Sequence, residues 1–580
     1  MGFEKFRAGT RGQLGRRAFL RVSLLAVGSA ALAACGGTAA PASTASKPAA
    51  SPAGSGASAA GNAQSGGTLK LVFPTDESPD TPSLDPPMRI LTYGNTITDA
   101  LYDTLVYQDP SDNTIKPGLA ESWDVSDDGL NYTMKLKKGV KFHDATPFNA
   151  AAVKFSLDRA ADPKYQPNNG YTVSLMADYK TTQVVDDSTA KIVLEHPRVN
   201  FLSSALGRSY LGIVSPTAVQ KSGVPGFGDH PVGTGPFKFV EWQRGSHVTI
   251  ERNPDYQWAS PIYKRNGPPL LDRIEFRYIG EPSTRVAALL SGEVNAIYGV
   301  PESDLARLSS DARFDVIKIQ KNGSPVRISM NIQRAPTDDV AVRTAINQAI
   351  DRDGLNKTVF FGQDTPSYSL LEEKMLDVNP AAQMPHYDME AAKKTLDDAG
   401  WKAGSDGIRA KAGKRLELAG VTFDSAPGVM EFAQSELKKV GIDLKLEKLS
   451  SAGEDQRLQA GTFNLLFRLP FGWTNEDPHL LYAHYNSKNL APKGTSNDDH
   501  VSNPEVDQLT EQADQEKDPA KRKDLYFKIQ DILTKQIVPN VPLVSRYQVM
   551  AVKKGVHDVT PDIRGTYLYL YPAWIEPGAR

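Results

Sequence analysis

Cysteine is all but absent. Cys35 is the single one in 580 residues, so no disulfide can form within the chain and no cysteine-based structural zinc site can be assembled. Net charge is also missing: 66 basic residues stand against 68 acidic ones, leaving −2. Nucleic-acid binding needs a concentrated basic face, and this balance gives no electrostatic case for one. No apolar run is long enough to span a bilayer. The best candidate, residues 22–34, is about a dozen residues where a spanning helix needs ~20. Catalytic signatures are lacking as well. There is no Gly-x-x-x-x-Gly-Lys-Ser/Thr loop, no His-Glu-x-x-His, and no Gly-x-Ser-x-Gly outside the N-terminal low-complexity stretch. These gaps weigh against a P-loop ATPase, a zincin and an α/β-hydrolase. Paired carboxylates far apart in sequence leave a glycosidase open.

The N-terminal residues have their own logic. Arg16 and Arg17 precede Ala18-Phe19-Leu20, the short apolar run follows, and it ends Leu32-Ala33-Ala34-Cys35. A basic start, a short apolar centre and small residues before a cut site make an export signal over residues 1–35. Residues 36–65 are nearly all Ala, Ser, Pro, Gly and Thr. Without large apolar side chains such a segment cannot offset the entropy of ordering, so a flexible leash is expected.

The remainder is too long for one ordinary core, and helix and strand patterns mix along it. Residues 131–142 alternate, with Tyr132, Met134 and Leu136 on one face of a half-buried strand. Residues 237–250 read as a hairpin turning at Arg244-Gly245-Ser246. Asn149, Ser283 and Asp388 are placed to cap helices, and residues 340–350 carry the apolar stripe Val342, Ala345, Ile346 and Ala349. Residues 429–449 read helix, Gly441, strand, the unit from which α/β lobes are built. His479 and His484 are the nearest histidine pair, but five residues apart they do not share a helix face.

Several stretches carry a family resemblance. Arg16-Arg17 with Phe19-Leu20 looks like a twin-arginine export signal, and Leu32-Ala33-Ala34-Cys35 resembles the bacterial lipobox, which implies a lipid on Cys35. Residues 117–159, PGLAESWDVSDDGLNYTMKLKKGVKFHDATPFNAAAVKFSLDR, are similar to the signature of the family-5 extracellular solute-binding proteins, the oligopeptide, dipeptide and nickel receptors of ABC importers. Residues 232–258 and 342–355 resemble that family too. The resemblance implies an α/β fold, a two-lobed periplasmic-binding-protein-like clamp (type II, cluster C) with an additional small α+β domain. Lobe I would be residues 66–107, 231–325 and 546–580, the small domain 108–230 and lobe II 326–545. It also implies a monomer without cofactor or metal that is no enzyme. Such a receptor hands a peptide or other small solute to an ABC permease and its ATPase subunits, and is tied to the outer face of the membrane through Cys35. Trp473 would wall the pocket, and Glu476 or Asp477 would pair with a peptide ammonium. Tyr93 and Asn331 fall where the family's cleft is lined. Asp477-Pro478-His479 also looks like the nickel-receptor variant. Alternatives are a nickel-chelate or oligosaccharide receptor, a secreted lipid-anchored hydrolase, and a sensory or chaperone-like clamp.

Overall fold

The computed structural model describes residues 63–74, 83–88, 94–163, 172, 175–423, 428–469, 478–491, 496–562, 565 and 567–579. Arg16, Arg17, Cys35, Tyr93, Trp473, Glu476 and Asp477 lie outside the described residues. The first strand, β1 (Thr68–Phe73), turns Leu69, Leu71 and Phe73 into one core and Val72 into another. After α1 (Gly94–Leu101) the chain builds a small antiparallel sheet from β2 (Ala120–Val125), β3 (Asn131–Leu136), β4 (Tyr179–Asp186) and β5 (Thr189–Leu194), in the order β2-β3-β5-β4. Tyr132, Met134 and Leu136 are buried, as their alternation predicts. The strand ends at Leu136, short of 142, because the chain turns through Gly139 at φ 77°. The helix α2 (Ala150–Ala161) covers this sheet, with Asn149 Oδ1 accepting from the Ala152 N–H at 3.1 Å.

The chain then returns to β1. The hairpin β6 (Phe237–Gln243) and β7 (His247–Arg252) turns through Gly245 at φ 71°, followed by β8 (Arg273–Tyr278), α3 (Pro282–Ser291), β9 (Ala296–Tyr298) and β10 (Phe314–Gln320). The residue capping α3 is Glu281 rather than the expected Ser283. Its carboxylate accepts from the Thr284 N–H at 2.8 Å, because Pro282 occupies the first helical position and moves the start forward. In this first sheet β1 runs parallel to both β8 and β9, with side chains packed on both faces. A parallel centre of this kind has to be covered on both sides, which is why β1 reads as mostly apolar.

A second sheet follows: β11 (Val326–Met330), β12 (Thr365–Pro366), β13 (Glu417–Phe423), β14 (Asp443–Leu449), β15 (Leu465–Arg468) and β16 (Asn540–Ser545), ordered β12-β16-β11-β15-β13-β14. The helices α4 (Val340–Ala349), α5 (Met389–Asp398) and α6 (Val429–Lys439) pack on it, and Asp388 caps α5 through the Ala391 N–H. Val342, Ala345, Ile346 and Ala349 all sit in its core, where burial of Val342 and of Ile346 contributes about 1.5–3 kcal/mol each. Finally β17 (Tyr547–Lys553) goes back to the first sheet, completing the order β10-β17-β9-β1-β8-β7-β6. The chain therefore crosses between the two large sheets twice, at residues 321–325 and at Arg546.

Candidate functional site

The two crossings lie side by side: the Lys321 N–H donates to the Arg546 carbonyl at 3.3 Å. Two bodies joined by two adjacent short segments can rotate with little change in packing elsewhere, so this junction has the geometry of a hinge. Beside it is a cavity of about 430 Å³, with Glu302, Lys321, Asp364, Leu469, Arg546 and Tyr547 in its wall. Arg546 reaches both ways. One guanidinium nitrogen meets Glu302, on the first-sheet side, at 2.7 Å, and Nε meets Asp364, just before β12, at 3.1 Å. Its planar face lies over the Phe360 ring at 4.9 Å. A single cation thus ties acids from both bodies, so opening the hinge must lengthen at least one pair.

Burial sets the titration of the neighbours. Glu372 is 1% exposed, and its N–H donates to the Gly323 carbonyl in the first crossing at 2.8 Å. Loss of solvent pushes its carboxyl up to about 7, with Gln320 and Ser545 pulling the other way. Burial likewise raises Asp364, opposed by Arg546. Lys321 is pushed down to about 8, first by burial and then by the charge of Arg546.

Leu469, the last described residue before the segment holding Trp473, Glu476 and Asp477, lines the cavity. The strand leading to it is anchored: Arg468 meets Asp498 at 2.8 Å and Glu454 at 2.9 Å, and buried Arg327 meets the same Asp498 at 3.5 Å. On the far side, His479 bonds Asp514 and stacks on Tyr482, 5.4 Å between centroids. His484 is buried and donates to the Ser496 carbonyl at 2.9 Å, so each histidine of the pair has its own partner. No group of three or more potential metal ligands occurs among the described residues.

Tyr93 precedes α1, where Asn95 is fully buried with neither amide atom hydrogen-bonded among the described residues. Asn331 sits elsewhere. β11 and β15 are antiparallel, with Arg327 opposite Arg468 and Met330 opposite Leu465. Asn331 therefore lies at the end of the strand pair away from Leu469, about four residues or roughly 13 Å along the sheet from Arg327. Its Nδ2 donates to the Gly461 carbonyl at 3.1 Å and its Oδ1 accepts from the Gln333 N–H at 3.0 Å, so both side-chain groups are used inside the second body. Sequence reasoning missed Lys321, Arg546, Asp364, Glu302 and Glu372. Arg546 and Glu302 are 244 positions apart, and no local motif joins them.

The family model for bacterial extracellular solute-binding proteins, family 5 (middle region), matches residues 114–492. The chain belongs to this family. The curated relatives include the glutathione-binding protein GsiB of Escherichia coli O1:K1, 32% identical over 481 residues, covering 82% of this chain and 89% of that one. Among solved structures, the periplasmic binding protein DppA of Helicobacter pylori in complex with the peptide STSA is 28% identical, with a TM-score of 0.72, covering 88% of this chain and 99% of that one. NikA of Brucella suis in complex with Fe(III)-EDTA is 26% identical, with a TM-score of 0.77, covering 88% of this chain and 100% of that one. The family-5 fold is that of the type II, cluster C binding proteins, two α/β lobes with an additional small domain, and the two large sheets and the small one correspond to it. These relatives are solute-binding transport proteins rather than enzymes. Family-5 members are extracytoplasmic, and no helix among the described residues is long and apolar enough to cross a membrane.

Proposed function

We propose that this chain is the lipid-anchored receptor of an ABC importer for short peptides, capturing them between its lobes and passing them unchanged to a permease with its ATPase subunits. The observation that carries the proposal is the cavity beside the paired crossings, walled by charged residues of both lobes and by Leu469 at the edge of the Trp473 segment. A hinge at that place lets a ligand favour the closed form by touching both walls. The peptide class is supported by the relatives, one named for glutathione and one solved with a peptide. In this reading Trp473 walls the pocket and Glu476 or Asp477 pairs with the peptide's ammonium group. Arg16 and Arg17 direct export, Cys35 carries the lipid, and the receptor acts as a monomer.

Melting the purified chain against pools of di- to pentapeptides and against glutathione tests this. A ligand at a hundred times its Kd adds about 2.7 kcal/mol of stability. The expected result is a clear upward shift with at least one pool and recovery of the bound peptide at unchanged mass. No shift with any pool would remove the peptide reading, and a cleaved peptide would favour a hydrolase. For the anchor, Cys35→Ser is expected to move the protein from the membrane fraction to the soluble one.

A further inference from the structure

The charges in the wall of the inter-lobe cavity are unequally satisfied. Arg285 spends its guanidinium on the carbonyls of Ile279, Gly280 and Gly299, at 2.9, 2.8 and 3.1 Å. Arg546 is committed to Glu302 and Asp364, the two carboxylates of the wall among the described residues. Nearby, Lys318 donates to Gln363 at 3.1 Å and Gln320 bonds Glu372 at 3.4 Å. Lys321 is the exception. Its backbone is fixed to Arg546, yet its Nζ makes no hydrogen bond or ion pair with any described residue while lining the cavity. Among the described residues the wall holds three cations, Arg285, Lys321 and Arg546, against two carboxylates, both in ion pairs with Arg546.

We propose that this cavity is a subsite for a carboxylate of the captured solute, held by the Lys321 ammonium with Arg546 beside it. An ammonium partly withdrawn from water, next to a second cation and with no carboxylate in direct contact among the described residues, is costly until an anion arrives. The low titration point of Lys321, with burial as its largest cause and Arg546 as the next, outweighing the opposite pull of Asp364, reflects that cost. The ammonium remains mostly charged at pH 7, so it can donate to a carboxylate in a charge-assisted bond. Exposed Leu469 in the same wall offers an apolar surface beside the anion. The site has a mechanical consequence too. Lys321 belongs to one crossing and Arg546 to the other, so a carboxylate bound there bridges the two segments that join the lobes.

This subsite rests on the receptor reading, and the experiment separates the two. The purified chain, labelled with ¹³C at lysine Cε, is titrated with succinate, inorganic phosphate, a free-acid peptide taken from the pool that raises the melting temperature, and the C-terminal amide of that peptide. Lys321→Met assigns the resonance, and Lys321→Arg tests rescue of the charge. The expected result is that succinate and the free acid move the Lys321 signal and raise its titration midpoint, while the amide does neither. Lys321→Met is then expected to weaken the free acid about ten- to a hundredfold, to leave the amide unchanged, and to be partly rescued by Lys321→Arg. If acid and amide bind alike with the Lys321 signal unmoved, the subsite is overturned and the receptor reading stands. A response to phosphate alone overturns the carboxylate assignment. If no probe binds and the signal stays still, both readings fail together.

Discussion

Glu372 is a buried acid whose proton the fold holds. Its carboxyl titrates near 7 in the folded chain, against 4.5 in the open one, because burial penalises the charged form. A folded pKa above the unfolded one means stability is whole below about pH 4.5 and is lost as pH rises through about 7. Glu372→Gln should therefore match the parent at pH 4.5 and exceed it at pH 8 by up to about 3 kcal/mol, which urea unfolding at the two pH values would measure. An equal difference at both would show that the side chain ionises normally. Asp103 is a different kind of buried acid. It accepts from Tyr107, Thr234, Tyr256 and Trp258 at 2.9–3.0 Å, so one carboxylate ties together stretches of lobe I more than a hundred residues apart in sequence. Asp103→Leu removes four hydrogen bonds at once, and although Trp258 keeps its bond to the Thr234 carbonyl, a loss of several kcal/mol is expected in the same assay. A change under about 1 kcal/mol would mean that water replaces the acid freely.

Elements were the most legible scale, and caps show why. Asn149 and Asp388 stand where the pattern predicts and accept from the amides of Ala152 and Ala391. Asn149→Ala should cost about 1 kcal/mol of stability, and a neutral result would show that water caps α2 equally well. The hairpin at Gly245 and the helix–Gly441–strand unit were readable for the same reason, since each is decided by neighbours in sequence. Ser283 misled because two adjacent side chains can cap and only the position of Pro282 chooses between them. The hinge charges were not readable at all. Lys321, Asp364, Glu372 and Arg546 come from three distant stretches, and nothing near any of them in sequence distinguishes it from a surface charge. The family resemblance implies Tyr93, Asn331, Trp473 and Glu476 or Asp477, and of these Asn331 alone is among the described residues, at the other end of β11 from Leu469.

At the scale of the whole molecule, the arrangement is two sheets with separate cores, joined twice at one place and sharing a charged cavity there. Separate cores let each lobe keep its packing while the angle between them changes, and a solute contributes only through the difference in its contacts between open and closed forms. Arg546 bears on that equilibrium, because its pairs with Glu302 and Asp364 join the lobes without any ligand. Small-angle scattering of the purified chain, with and without a saturating peptide from the pool that raises its melting temperature, is the most direct test of capture by closure. The radius of gyration should fall on binding and return when the peptide is dialysed away intact. Scattering curves that superimpose while the peptide is bound would contradict the account.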